Sequence, residues 1–275
     1  MEVLSKDTIE RWIVPHLSVG RRGTKVSVEL WRIVAAILYR LKSGCQWSML
    51  PTEQFFPAAQ GLTAGGVYHH FRKWVKDGSF KKVWTALLKT NHKLLDLSCM
   101  QLDGSHTLAK NGGEHIGYQT RKAANTTTAL FLSDNQGLPL AMATPQSGNH
   151  HDLHDIEPLF EELCQLLKEA DINLSGIFMN ADSGFDAQVL RKQCSEKQIE
   201  ANIEVNERNN KEELSDEYVY FDDLLYKRRF VIEKMNAWID SFKALLIRFE
   251  TSIKAWMALH FLAFSVLLCR KIPNC

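Results

Sequence analysis

The chain has 275 residues, 45% of them hydrophobic and 24% charged, which supplies a real core and excludes an intrinsically disordered protein. Its six cysteines (Cys45, Cys99, Cys164, Cys194, Cys269 and Cys275) form no close pairs of the kind a zinc ribbon or finger requires, and they fit a reducing cytosol. The net charge of +1 hides a segregation. Residues 1–98 carry 15 Lys and Arg against 7 Asp and Glu, residues 99–220 carry 9 against 20, and residues 221–275 carry 9 against 5. A basic first segment and basic tail suit a polyanion and an acidic middle suits cations, although a solvated surface tolerates the same pattern.

The chain opens without a basic start followed by an apolar stretch, so no secretory signal is expected. Val28 to Leu41 places Trp31, Val34, Ala35, Leu38 and Leu41 at helical spacing. Lys42-Ser43-Gly44 stops that helix. After the breaks at Leu50-Pro51 and Phe56-Pro57, helices are expected over Val67–Trp74 and Ser79–Leu95. Short helices with the polar face Arg72, Lys73 and Lys76 suit a helix-turn-helix-like DNA module, and a small helical bundle reads the same way. For Arg72 and Lys73, phosphate contact and plain solvation are equally good readings.

The period changes after Asp96. Residues 99–103, 126–132 and 138–143 read as strands, the last two joined by the turn Asp134-Asn135-Gln136-Gly137. A helix over Asp155–Ala170 follows, with Ile156, Leu159, Phe160, Leu163, Leu166 and Leu167 buried. Then come a strand at Ile177–Asn180, a helix at Asp186–Cys194 and a strand at Glu200–Val205. The polar stretch 206–221 reads as a surface loop. Asp223–Phe249 reads as one long helix, and Ser252–Leu268 as a last one. Ala255–Cys269 is apolar but too short to span a membrane and contains His260, so a buried helix is the simpler reading. The expected architecture is α/β: a ribonuclease-H-like mixed sheet flanked by helices over residues 97–275, preceded by an all-helical DNA-binding domain over 1–96.

Three carboxylates stand out. Asp103 and Asp182 each follow a strand directly, and Glu233 lies on the long helix in a stripe with Tyr226, Arg229, Asn236 and Asp240. Each has a plain alternative: a turn cap for Asp103, an N-terminal cap for Asp182 and solvent exposure for Glu233. If parallel neighbouring strands carry the two aspartates, both reach one sheet edge. Three such acids suit two divalent cations held against a phosphodiester, where hard ions activate the attacking oxygen and neutralise the leaving one. Arg229 is placed to hold Glu233 or clamp a phosphate, and Lys243 and Arg248 to extend the contact along DNA. Arg121 and Lys122 read either as DNA contacts or as a solvated turn. His150, His151 and His154 beside Asp152 and Asp155 make a weak zinc candidate, and a role for His150 or Asp152 beside the carboxylates is the stronger one. Trp47, Trp74 and Trp238 read as core residues ahead of base-stacking ones.

Separated blocks of the chain resemble a DDE transposase of the insertion-sequence-5 family. They are Val34-Ala35-Ala36-Ile37-Leu38-Tyr39-Arg40-Leu41-Lys42-Ser43-Gly44-Cys45-Gln46-Trp47 and Val67-Tyr68-His69-His70-Phe71-Arg72-Lys73-Trp74 in the first segment. In the second they are Leu102-Asp103-Gly104-Ser105, Gly117-Tyr118-Gln119-Thr120-Arg121-Lys122, Ala181-Asp182-Ser183-Gly184-Phe185 and the Tyr226/Arg229/Glu233 spacing. The resemblance implies that Asp103, Asp182 and Glu233 are a metal-binding catalytic triad for two Mg²⁺ ions, with Mn²⁺ as a substitute, and that Tyr226 and Arg229 precede the glutamate on the family's helix. The family's lysine seven residues after that glutamate is absent, since position 240 is Asp, and Lys243 is the candidate replacement. The implied activity is recognition of terminal inverted repeats, cleavage at element ends and transfer of the 3′-hydroxyl strand into target DNA. A homodimer or higher oligomer on DNA, a cytoplasmic and nucleoid-associated location and no membrane follow from it. A nuclease sharing the triad without joining, and a helical DNA-binding regulator needing none of the acids, are the alternatives.

Overall fold

The computed structural model describes residues 2–20, 28–57, 61–206 and 220–273. Most of the expected surface loop at 206–221 lies outside them. Contacts divide the chain into two compact units, one of Met1–Asn91, Ala109–Glu114 and Trp238–Cys275, the other of His92–Leu108 and His115–Ala237. The C-terminal stretch Trp238–Cys275 thus clusters with the N-terminal helices.

The first unit is helical. Helix α1 covers Lys6–Trp12, α2 Leu30–Ser43, α3 Ala64–Lys76 and α4 Ser79–Thr90. Helix α2 buries Ile33, Val34, Ile37, Leu38 and Leu41, while Trp31 and Ala35 are only half-buried. It ends at Gly44, whose φ of 71° is left-handed and whose N–H returns to the Arg40 carbonyl at 2.9 Å. Helix α4 stops at Thr90, short of the expected Leu95. The last helix, α10 (Ile253–Cys269), is buried on nearly every side, as a helix apolar all round must be. It packs on α4, with Trp84 and Phe264 edge to face at 5.5 Å. His260 sits inside α10 with Nδ1 3.0 Å from the Trp256 carbonyl oxygen, and burial pushes its pKa down to about 4, so it is neutral. Among the described residues no helix is long and apolar enough to cross a membrane.

The second unit is built on a mixed sheet: β1 (Cys99–Ala109), β2 (Gly117–Gln119), β3 (Ala124–Ser133), β4 (Pro139–Met142), β5 (Gln146–Ser147), β6 (Phe178–Ala181) and β7 (Glu200–Ile203). The order along its main path is β2-β3-β1-β6-β7, with β4 and β5 also pairing on β3. β1 and β3 are antiparallel, β1 and β6 parallel, and β6 and β7 parallel. Three antiparallel strands extended by two parallel ones, with helices in the connections, is the ribonuclease-H-like arrangement the sequence predicts. Helices α5 (Ile156–Glu169) and α6 (Gln188–Glu196) supply the crossovers, and the six apolar residues expected on the buried side of α5 are all buried.

Two expectations change. β1 does not end at Asp103 but continues to Ala109, because β3 pairs with it as far as Leu108. The stretch expected as one helix over 223–249 is broken. Helix α7 (Asp223–Tyr226) gives way to a 3₁₀ segment at Lys227–Phe230, then α8 (Val231–Asp240), α9 (Lys243–Leu246) and a two-residue strand, β8 (Ile247–Arg248). The break after α8 has local causes: Ser241 Oγ donates to the Trp238 carbonyl at 2.7 Å, and buried Phe242 takes an extended backbone as the N-cap of α9.

Candidate active site

The register of the parallel pair sets the site. Leu102 lies opposite Ala181, so the next residue on each strand is an aspartate, and neighbouring strands are about 4.8 Å apart. Asp103 stands where β1 loses its parallel neighbour, and Asp182 stands just beyond β6. A turn cap at Asp103 is ruled out by the continuing strand. Asp182 does cap its turn, with Oδ1 accepting from Gly184 N–H at 2.9 Å, and its Oδ2 lies 3.4 Å from Arg229 Nη1. Capping and site geometry are compatible because the two oxygens face different partners.

Burial pushes the Asp103 carboxyl up to about 6, against the Gly104 N–H that accommodates its charge; the neighbouring Asp152 and Asp182 raise it further and Arg229 lowers it. Asp152 reaches this place because residue 104 has no side chain. A Cβ there would meet Asp152 Oδ1 at 2.6 Å and Cγ at 2.8 Å. That Oδ1 is buried without a hydrogen-bond partner, 3.9 Å from His106 Nε2. Burial holds His106 below its usual pKa although Asp152 opposes this. His150 instead stacks on His154 at 3.8 Å, and His151 Nδ1 accepts from Leu153 N–H at 3.2 Å. No group of three His, Cys, Asp or Glu side chains that could hold a metal ion is assembled among the described residues, for zinc or otherwise.

Tyr226 ends α7 and Arg229 lies on the 3₁₀ segment that follows it, so both are carried on one short helical stretch beside Asp182. The Arg229 guanidinium lies 5.6 Å from the Tyr226 ring centre and 5.0 Å from that of Phe230. Burial raises the Tyr226 phenol, with Arg229 opposing. Glu233 is the departure. It is exposed in the first turn of α8 and does not join Asp103 and Asp182 in a ligand group. The physical reason is the winding: a 3₁₀ turn advances about 120° per residue where an α-helix advances about 100°, so the expected stripe through Tyr226, Arg229 and Glu233 is not straight.

The remaining expected contacts fall as follows. Arg121 and Lys122 are exposed on a 3₁₀ turn after β2, and Lys122 Nζ donates to the His106 carbonyl at 2.8 Å. Arg72 is exposed on α3 near the Tyr68 ring, whereas Lys73 Nζ turns to the Ser18 carbonyl at 3.2 Å. Trp74 is wholly buried. Lys243 is exposed on α9 in the helical unit.

The donor set fits a hard divalent cation in kind. Asp103 and Asp182 stand side by side with Arg229 beside Asp182, and Asp103 is raised first by burial and further by the neighbouring carboxylates Asp152 and Asp182. As a three-ligand set it is incomplete without Glu233.

A family model described as "Transposase DDE domain" matches residues 88–268, about two thirds of the chain. The chain belongs to the DDE transposase family. The model described as "Putative transposase of IS4/5 family" matches residues 8–84, so the first segment falls in with the same identification and the protein is a DNA transposase. No curated protein matches the chain. Solved structures similar to it include a pre-cleavage Mos1 transpososome, at 10% identity and a TM-score of 0.31 over 92% of this chain and 81% of that one. A Mos1 strand transfer complex is similar at 11% identity and a TM-score of 0.32, over 92% and 80%. A Mos1 paired-end complex with the left transposon end matches at 12% and 0.31, over 95% and 84%.

Proposed function

We propose that Asp103, Asp182 and Glu233 form one metal-binding triad that cuts the ends of a mobile element and joins the exposed 3′-hydroxyl strand to target DNA. The observation that carries this is the pairing of Leu102 with Ala181, which sets two aspartates side by side next to Arg229. Mg²⁺, with Mn²⁺ as a substitute, supplies charge neutralisation at the attacking and leaving oxygens of the phosphodiester when bound. The protein groups do the rest. Asp103 on β1 and Asp182 just beyond β6 would hold the cations, and Glu233 on α8 would complete the set once DNA is engaged. Arg229 and Tyr226 offer a cation and a phenol to the same phosphate, and Arg121 and Lys122 flank it from the turn after β2.

Residues 1–96 are proposed to read the terminal inverted repeats, with Arg72 and Lys73 on the phosphates and Lys243 as a further contact. Both element ends must meet for coupled insertion, so the working form is a homodimer or higher oligomer on double-stranded DNA, in the cytoplasm at the nucleoid. Incubating the full chain with labelled element ends and Mg²⁺, Mn²⁺ or a chelator tests the reading. Joined products that vanish in Asp103→Asn and with chelator support it. Hydrolysis without joining selects a nuclease, and DNA binding indifferent to all three acid substitutions selects a regulator.

A further inference from the structure

The strands that carry the aspartates also carry three buried amides in one row. Gln101 on β1 lies opposite Asn180 on β6, which lies opposite Asn202 on β7, and all three are fully buried. Each aspartate is two residues further along its strand. The pleat therefore puts Gln101 and Asp103 on one face of the sheet.

The amides bond to one another in sequence. Asn202 Nδ2 donates to Asn180 Oδ1 at 2.8 Å, and Asn180 Nδ2 donates to Gln101 Oε1 at 2.9 Å. What remains of their capacity goes to the segment that carries Tyr226 and Arg229. Asn180 Nδ2 also donates to the Leu225 carbonyl at 2.8 Å. Asn202 bonds Asp222 in both directions, its Nδ2 donating to the Asp222 carbonyl at 3.1 Å and its Oδ1 accepting from the Asp222 N–H at 2.8 Å. At the far end of the row Gln101 Nε2 is 3.5 Å from Asn135 Oδ1. That turn residue accepts from Arg228 through both its side-chain and main-chain oxygens, at 3.3 and 3.1 Å. The anchored positions 222, 225 and 228 are three apart and so lie on one side of the helical stretch formed by α7 and the 3₁₀ segment after it.

We infer that Gln101, Asn180 and Asn202 are positioning residues that clamp residues 222–228 to the sheet and thereby fix Tyr226, Arg229 and the start of α8 relative to Asp103 and Asp182. Ordinary buried strands of a parallel sheet carry apolar side chains here, and a row of amides is costly unless every group is paired. Here the pairing spans a chain separation that no local turn can bridge. The inference rests on the proposed active site, because its functional consequence is that Tyr226 and Arg229 are held beside the two strand acids.

The test is hydrogen–deuterium exchange on the full chain. In Asn180→Leu the amides of 222–230 should exchange at least tenfold faster, while β1 and β6 amides stay within about twofold of the parent and strand cleavage falls about a hundredfold. Asn202→Leu, on the outermost strand of the main path, is the second variant if the first does not fold, and should show the same pattern more weakly. Unchanged exchange at 222–230, or equal acceleration throughout the sheet, overturns the clamp. Faster exchange at 222–230 in a protein whose parent form neither cuts nor joins DNA upholds the clamp and removes the proposed reaction instead.

Discussion

Arg40 in the helical unit and Asp103 in the sheet unit are both charged groups taken largely out of water, and they are treated in opposite ways. The Arg40 side chain is only 5% exposed, and its Nη2 donates to Glu250 Oε1 at 2.7 Å. Its guanidinium lies 4.9 Å from the Trp47 ring centre, and the Trp47 indole N–H reaches the same Glu250 oxygen at 3.4 Å. Burial pulls its pKa down and Glu250 pushes it back. Asp103 instead has two further carboxylates among its influences and a single guanidinium against them. A fold selected for stability alone pairs its buried charges. On the proposed reading, the like-charge cluster around Asp103 serves the metal ions it would bind.

The largest effect expected from breaking this contrast is on chemistry. Asp103→Asn should lower strand joining by about 10³-fold or more, about 4 kcal/mol in the barrier, read as labelled joined product per unit time. Retention of joining within tenfold would detach Asp103 from the site. Next is the paired charge. Glu250→Ala leaves Arg40 buried without its partner and should cost about 3 kcal/mol of stability, measured by urea unfolding. A loss under about 0.5 kcal/mol would place the pair among ordinary surface bridges.

A smaller effect of opposite sign sharpens the comparison. The folded Asp103 pKa, about 6, lies above its unfolded value. Its contribution to stability is therefore fully present below the unfolded value of about 3.9 and is lost as pH rises through the folded one. Asp103→Asn should accordingly be more stable than the parent at pH 8, by about 1–2 kcal/mol, with the gain fading towards pH 4. Melting curves that show no such pH-dependent gain contradict a carboxyl whose pKa is raised by its surroundings. The smallest effect concerns DNA affinity. Arg72→Glu should flatten the dependence of log K on log salt by about 1. Lys73→Glu should change it less, because that ammonium is already engaged by Ser18.

Five of the strands and the places of both aspartates were legible in the sequence because a short apolar run, and an acid straight after one, are local signals, whereas the short strands β2, β5 and β8 carry no such run. The parallel pairing of β1 with β6 followed from chain order, and the register did what the expectation required of it. What could not be read locally was set by partners distant in sequence. The continuation of β1 past Asp103 depends on β3, and the division of 223–249 into α7, α8 and α9 depends on the winding of Lys227–Phe230 and on buried Phe242. The approach of Asp152 to Asp103 is written only as the absence of a side chain at Gly104. The amide row had a signal that went unused: Gln101 and Asn180 each stand two residues before an aspartate in an otherwise apolar strand.

On the proposed reading, the two strand acids and the helix acid share metal ions when DNA is present. Titrating Mn²⁺ into the full chain bound to element-end DNA, with bound ion counted by electron paramagnetic resonance, tests it most directly. About two ions per chain are expected, with binding weakened by each of Asp103→Asn, Asp182→Asn and Glu233→Gln. Mn²⁺ binding by Glu233→Gln that is indistinguishable from the parent would contradict it.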